Sequence, residues 1–121
     1  MTSKQTRMET PLENTLITKE TTPAGLQAAA FLAKALADEN RLRIILSLAQ
    51  EKKSVSRIVE ELGISQPLAS HHLKELKRAL LVNVERSGPF IYYELADRRI
   101  MTILMDLTGL ATDLLTNRTA F

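Results

Sequence analysis

Residues 54–76 read SVSRIVEELGISQPLASHHLKEL, and the order alone describes two helices joined by a glycine turn. Ser54 is of the type that caps a helix start with its side-chain oxygen, and Val55, Ile58, Val59 and Leu62 then recur at the spacing of one buried helical face. Gly63 suits the left-handed residue that ends such a helix. A second helix opens at Ser65, with Gln66 and Pro67 in its first turn, where the donor that proline lacks would have no intrahelical partner anyway. At about 100° per residue, Ala69, Leu73, Leu76 and Leu80 share one narrow stripe, the predicted core face. Helix, short turn and helix form a helix-turn-helix pattern, though many short helix pairs share it.

The flanking sequence makes the pattern more specific. LVNVERSGPFIYYEL, residues 81–95, alternates as a strand, breaks at Ser87, Gly88 and Pro89, and alternates again through Ile91, Tyr93 and Leu95. A hairpin directly after the second helix predicts a winged helix-turn-helix: a mainly α fold with a small β-hairpin wing. Upstream, Thr22 and Pro23 start a helix carrying Leu26, Ala29, Ala30, Ala33, Leu36 and Ala37 at helical spacing. ADEN interrupts it, and RLRIILSLAQEKK supplies the next helix with Leu42, Ile45, Leu46 and Ala49 on one face. Downstream, Asp97 caps a last helix with a broad apolar face. The predicted organisation is a polar tail over residues 1–22, one DNA-binding and dimerisation domain over 23–116, and a short tail over 117–121.

Bulk composition restricts the function. The chain has 121 residues, 45% apolar and 25% charged, enough for one domain with a core. It contains no cysteine, which removes disulfides, thiolate metal sites, cysteine nucleophiles and thiol redox sensing. The start has no apolar run of the secretory type, and the most apolar later stretch is interrupted by Asp106, so the expectation is a cytoplasmic protein without a membrane partner. Two diverging histidines and no phosphate-cradling glycine loop assemble no catalytic constellation, so an enzyme is not expected and no catalytic residue or cofactor is assigned.

Charge points to a polyanion. Residues 41–86 hold nine basic and five acidic side chains, against a net charge of +2 for the whole chain. A mixed solvated surface would also explain that surplus. The position of the polar residues favours DNA: the start of the second helix of such a motif enters the major groove. Ser65, Gln66, Ser70 and His71 suit contacts to base edges, Lys74, Lys77 and Arg78 suit phosphates, and Arg86 is the candidate on the wing. His71 and Arg78 point almost directly away from the core stripe, whereas His72 lies about 60° from its centre. Roughly 100° therefore separates the two histidines, too much for one ion to be chelated from within a helix. His72 is expected to seat the helix rather than to bind a ligand.

The first and last helices carry more apolar surface than the central helices can cover. A two-fold homodimer would bury Leu26, Ala30 and Ala33 together with Ile100, Ile103, Leu104, Leu107, Leu110, Ala111 and Leu114. The alternative is that both helices pack on their own domain.

LADENRLRIILSLAQ, IVEELGISQPLASHHLKELKRALLV and YYEL together resemble the arsenic-repressor (ArsR/SmtB) family of bacterial winged-helix regulators, over about residues 30–115. The resemblance implies a homodimer with first and last helices at its interface, bound to a partly palindromic operator and repressing transcription, in many members until a metal ion releases it. The family's paired cysteines fall at Ser54 and Ser56 here, and serine is a poor ligand for soft metals. The family's zinc positions fall at Asp97, Arg99, Leu110 and Asp113, so both histidines are replaced. The basic residue that often follows the wing glycine is Pro89. The expected function is a dimeric, sequence-specific transcriptional regulator, a repressor, binding double-stranded operator DNA. No metal is expected, and an unknown small molecule is the candidate effector. Two alternatives are a metal-responsive repressor with an atypical site involving Asp97 and Asp113, and a winged-helix protein-interaction adaptor.

Overall fold

A computed structural model describes residues 21–118. Residues 1–20 and 119–121, which hold most of each predicted tail, lie outside it. The elements are α1 (Pro23–Leu36), α2 (Glu39–Leu48), α3 (Val55–Leu62), α4 (Gln66–Arg78), β1 (Val82–Ser87), β2 (Phe90–Leu95) and α5 (Arg99–Thr116). The chain divides into two units between Lys34 and Ala35, inside α1. In the first unit, Thr22 caps α1 by accepting the Gly25 N–H at 3.1 Å, and Leu26 and Phe31 are more than half exposed.

The second unit is a winged helix-turn-helix. Its core is Ile44, Ile45 and Leu48 from α2, Ile58 from α3, Ala69, Leu73 and Leu76 from α4, Leu81 and Val82 at the entry to the wing, and Ile100 and Leu104 from α5. The capping pattern read from sequence is realised. Ser54 accepts from the Arg57 N–H, Gly63 takes φ +67°, and Ser65 accepts from the Leu68 N–H. The wing pairs antiparallel from Val82↔Leu95 to Ser87↔Phe90, leaving Gly88 and Pro89 as a two-residue turn. Gly88 has φ +63°, and proline holds the next φ negative, the pattern of a type II′ turn whose twist matches the strands.

Four local expectations are corrected. Asp38 caps α2 by accepting from Asn40 and Arg41, so that helix starts at Glu39, earlier than read, and Ala37 falls outside α1. The buried face of α2 is Ile44, Ile45, Ser47 and Leu48; Leu46 points about 150° away from the centre of the apolar stripe and is 49% exposed. Helix α4 stops at Arg78, and Leu80 takes a left-handed φ of +65° and is 78% exposed instead of lying in the core stripe. That turn lets the Leu81 N–H bond back to the Leu76 carbonyl at 2.9 Å, a Schellman-type closure, and Leu81 is buried in Leu80's place. Finally, α5 starts at Arg99, but Asp97 still accepts its first N–H at 2.8 Å.

One strong feature has no periodic signal in the sequence. Lys53, 2% exposed, exchanges backbone hydrogen bonds with Tyr93 of β2 at 3.0 and 2.8 Å. Its ammonium donates to Glu61 of α3 at 2.7 Å and to Ser47 of α2 at 2.9 Å, and the Ser47 hydroxyl donates to the same Glu61 oxygen at 2.7 Å. A single residue thus ties the wing to α2 and α3. These hydrogen bonds hold the Glu61 carboxyl below its ordinary range.

Candidate nucleic-acid interface

Helix α4 supplies the centre of the surface. Ala69, Leu73 and Leu76 have no solvent exposure and fix the helix by one face, so Gln66, Ser70, His71, Lys74, Lys77 and Arg78 are all presented outward. Ser65 is exposed too; its hydroxyl oxygen accepts from the Leu68 N–H as the cap, which leaves its O–H proton and a second lone pair for another partner.

The two histidines separate as the helical geometry requires. His71 is exposed, while His72 is buried at 5% exposure. Nδ1 of His72 accepts from Arg41 Nε at 3.1 Å, which makes the neutral ring the one protonated on Nε2, and Nε2 faces the Asp38 carboxylate at 3.6 Å. Burial holds this imidazole below its ordinary value; Arg41 adds to the effect and Asp38 opposes it. Since Asp38 is also the cap of α2 and Arg41 donates to the Ala35 carbonyl at 3.2 Å, His72 locks α4 against the first turn of α2. It is a seating residue.

The basic surplus is largely consumed inside the fold. Arg41 is held by His72 and Ala35, and Arg43 donates to the Leu62 carbonyl at the end of α3 at 2.9 Å. Lys52 pairs with Glu85 at 2.8 Å, Lys53 with Glu61 at 2.7 Å and Arg57 with Glu51 at 3.5 Å. Arg78 makes a 3.2 Å pair with Glu75, one turn earlier, and is itself largely exposed. Lys74, Lys77 and Arg86 have no ion pair among the described residues. Lys77 and Arg86 line one open groove between the end of α4 and β1, together with Leu80, Asn83 and the carboxylates of Glu85 and Glu94. The net charge of residues 41–86 therefore overstates the charge offered outward, which concentrates on α4 and the wing.

The wing tip carries residues that reading for charge passed over. Phe90 is 59% exposed and Ile91 37%, beside Pro89. The Phe90 and Tyr92 ring centres lie 6.3 Å apart, and the Lys52 ammonium stands 5.5 Å from the Tyr92 ring centre. In the sequence Phe90 directly follows the break at Ser87, Gly88 and Pro89.

Among the apolar residues expected at a dimer interface, Ile100 and Leu104 belong to the chain's own core, at 7% and 5% exposure. Ile103, Leu107, Leu110, Ala111 and Leu114 remain exposed along the other side of α5, and Leu26, Ala30 and Ala33 are exposed on α1.

The positions of the resembled metal sites do not fit a metal. Both oxygens of Asp97 face the Arg99 guanidinium, with the shortest contact 2.9 Å, and its pKa is lowered to about 2 by that hydrogen-bonded pair. The arginine places a fixed positive charge where a neutral ligand would be needed. No group of three or more His, Cys, Asp or Glu arranged to hold a metal occurs among the described residues, and none of their helices is long and apolar enough to cross a membrane.

Comparison with known proteins agrees with this geometry. The family described as "Bacterial regulatory protein, arsR family" matches residues 38–84, which run from the α2 cap into β1. The transcriptional repressor SmtB of Mycobacterium tuberculosis is 43% identical over 81 residues, covering 67% of this chain and 60% of the repressor, so the match spans less than two thirds of that relative. The Streptomyces lividans protein described as "Probable mercury resistance operon repressor" is 32% identical over 107 residues, covering 88% of this chain and 86% of its own. Among solved structures, the homodimeric winged helix-turn-helix DNA-binding domain Mb0332 of Mycobacterium bovis superposes with a TM-score of 0.69 at 31% identity, covering 81% of this chain and 91% of that one.

Proposed function

The chain belongs to the bacterial arsR family of regulatory proteins, and on that premise we propose that it is a dimeric, sequence-specific DNA-binding regulator that represses transcription. The observation that carries the reading is the presentation of Gln66, Ser70 and His71 on the outer side of α4's first turns, while Ala69, Leu73 and His72 fix the opposite side. Gln offers a two-point contact to adenine, and Ser and the imidazole complete a short polar reader at major-groove depth. Lys74 and Lys77 follow on the same helix as phosphate contacts, and Arg86 extends the track to the wing. Supporting the dimer are the exposed apolar residues of α5 and of α1, which would be a liability on a monomer.

The regulating signal is neither thiol chemistry nor a bound metal. The chain has no cysteine, and Arg99 occupies Asp97. An unknown small molecule is the candidate effector, with a metal-responsive repressor as the alternative.

Anisotropy or gel-shift titration with the DNA upstream of its own gene tests the reading. A preferred sequence is expected, with log K falling against log salt at a slope of about −5 if Lys74, Lys77 and Arg86 each meet one phosphate in both protomers. His71→Ala should weaken operator binding and leave the fold intact. Equal affinity for operator and scrambled duplex in the wild-type protein would sink the proposal. A change in operator affinity between chelator and micromolar zinc, nickel or copper would favour the metal-responsive alternative.

A further inference from the structure

We propose that Phe90, carried at the wing tip, is an apolar wedge that enters the minor groove of the bound duplex and unstacks one base step. The inference rests on the DNA-binding reading and assigns the wing a role that charge alone does not.

Phe90 is the first residue of β2, next to the Gly88–Pro89 turn, and 59% of it faces solvent although its ring contributes nothing to the core. An exposed aromatic at a hairpin tip is normally free to change rotamer. Here it is braced: Tyr92 stands beside it, Lys52 stands over Tyr92, and Glu85 holds Lys52 at 2.8 Å. The turn beneath is stiffened by a proline, and the strand is tied to the body through Lys53 and Tyr93. The Tyr92 ring beside it restricts the freedom the Phe90 ring has to lose on binding, which favours a wedge. Pro89 and Ile91 widen the apolar tip on either side in sequence.

The position of the wing beside α4, together with one arginine unpaired among the described residues, points to a duplex as the occupant. Arg86 lies across the hairpin from Ile91, on the face of the wing opposite Phe90, exposed and without an ion pair among the described residues, and with Lys77 of α4 it lines a groove that also holds Glu85 and Glu94. A cation beside an apolar tip, next to the helix that carries the reader residues, suits a duplex edge better than a neutral protein surface. Proteins that bend DNA from the minor groove combine basic side chains with apolar wedges at a base step.

The test uses the full chain and a duplex that the wild-type protein recovers from a random library, with 2-aminopurine placed at successive positions flanking the recovered sequence. Wild-type protein should raise 2-aminopurine fluorescence at one flanking step. Phe90→Ala should abolish the rise and weaken binding about tenfold, and Phe90→Trp should restore both. Unchanged melting temperatures would show that the variants fold. A recovered duplex bound equally by wild-type and Phe90→Ala protein, with no fluorescence change in either, overturns the wedge alone. Failure of the wild-type protein to recover any preferred duplex overturns the operator reading and the wedge with it. Sedimentation without DNA should give wild-type and Phe90→Ala protein the same mass; a lighter variant would overturn the wedge by making Phe90 a contact between copies.

Discussion

The pair Lys53–Glu61 should respond very differently to deletion from its two ends. The ammonium side of Lys53 is 1% exposed and the Glu61 side chain 38% exposed. Glu61→Ala strands a buried positive charge that keeps only the Ser47 hydroxyl as a side-chain acceptor. Removing one partner of a buried pair costs about 3–5 kcal/mol, and the remaining acceptor together with the nearby solvent lowers the expected cost of stranding Lys53 to about 2–3 kcal/mol. Lys53→Met removes the charge and keeps the apolar stem, while the exposed carboxylate it leaves behind hydrates. The ammonium's desolvation cost disappears with it, so the net change should stay within about 1 kcal/mol of zero. Urea unfolding followed by circular dichroism at pH 7 and one protein concentration measures both, with the slope checked for constancy. If Lys53→Met costs as much as Glu61→Ala or more, the pair is not governed by unequal burial and the reasoning is wrong.

Three further outcomes are expected. Gly63→Ala meets no atom within 4 Å but forces a side chain to φ +67°, so it should destabilise by about 1 kcal/mol in the same urea assay. His72 has a folded pKa below its ordinary 6.5, so the unfolded chain binds the proton more readily; its contribution to stability is complete above that value and is lost as pH falls below it. A melting-temperature series from pH 7.5 to about 5 should therefore fall more steeply for wild-type protein than for His72→Leu, and parallel curves would remove His72 from the account. Leu107→Glu, at a position 47% exposed on α5, should yield a folded monomer by sedimentation with much weaker operator binding; a dimer of unchanged stability would place the interface elsewhere.

The helix-turn-helix was legible because its punctuation is local. Ser54, Gly63, Ser65 and Pro67 act on neighbours within three residues, and Gly88–Pro89 is enough to turn a hairpin. The orientation of α2 was not legible, because Leu42, Ile44, Ile45, Leu46 and Leu48 surround most of that helix and only the packing of α3 and α4 selects among them. Leu80 misled for a related reason. The stripe continues through it, but the chain must leave the helix there to bring Leu81 and Val82 into the core. The outward position of His71 and the seating role expected for His72 followed from helical angles, whereas the partners of His72 lie on α2 and its flank, at separations no periodicity records. Lys53 gives no sequence signal, since its burial depends on Ser47, Glu61 and Tyr93 meeting around it.

The backbone bridge between Lys53 and Tyr93 also makes the reading head a calliper with fixed jaws. One jaw is α4, seated through His72, and the other is the wing, pinned to the segment between α2 and α3. Their separation is set during folding, so on the proposed DNA-binding reading a duplex must bring its two contact points to the protein. Moving the flanking step by one base pair relative to the helix contact shifts it by about 3.4 Å along the axis, which neither jaw can follow without breaking that bridge. Operators for this protein should therefore vary in sequence between these points but not in the spacing of the points themselves; recovered duplexes with variable spacing and undiminished affinity would show the jaws to be hinged.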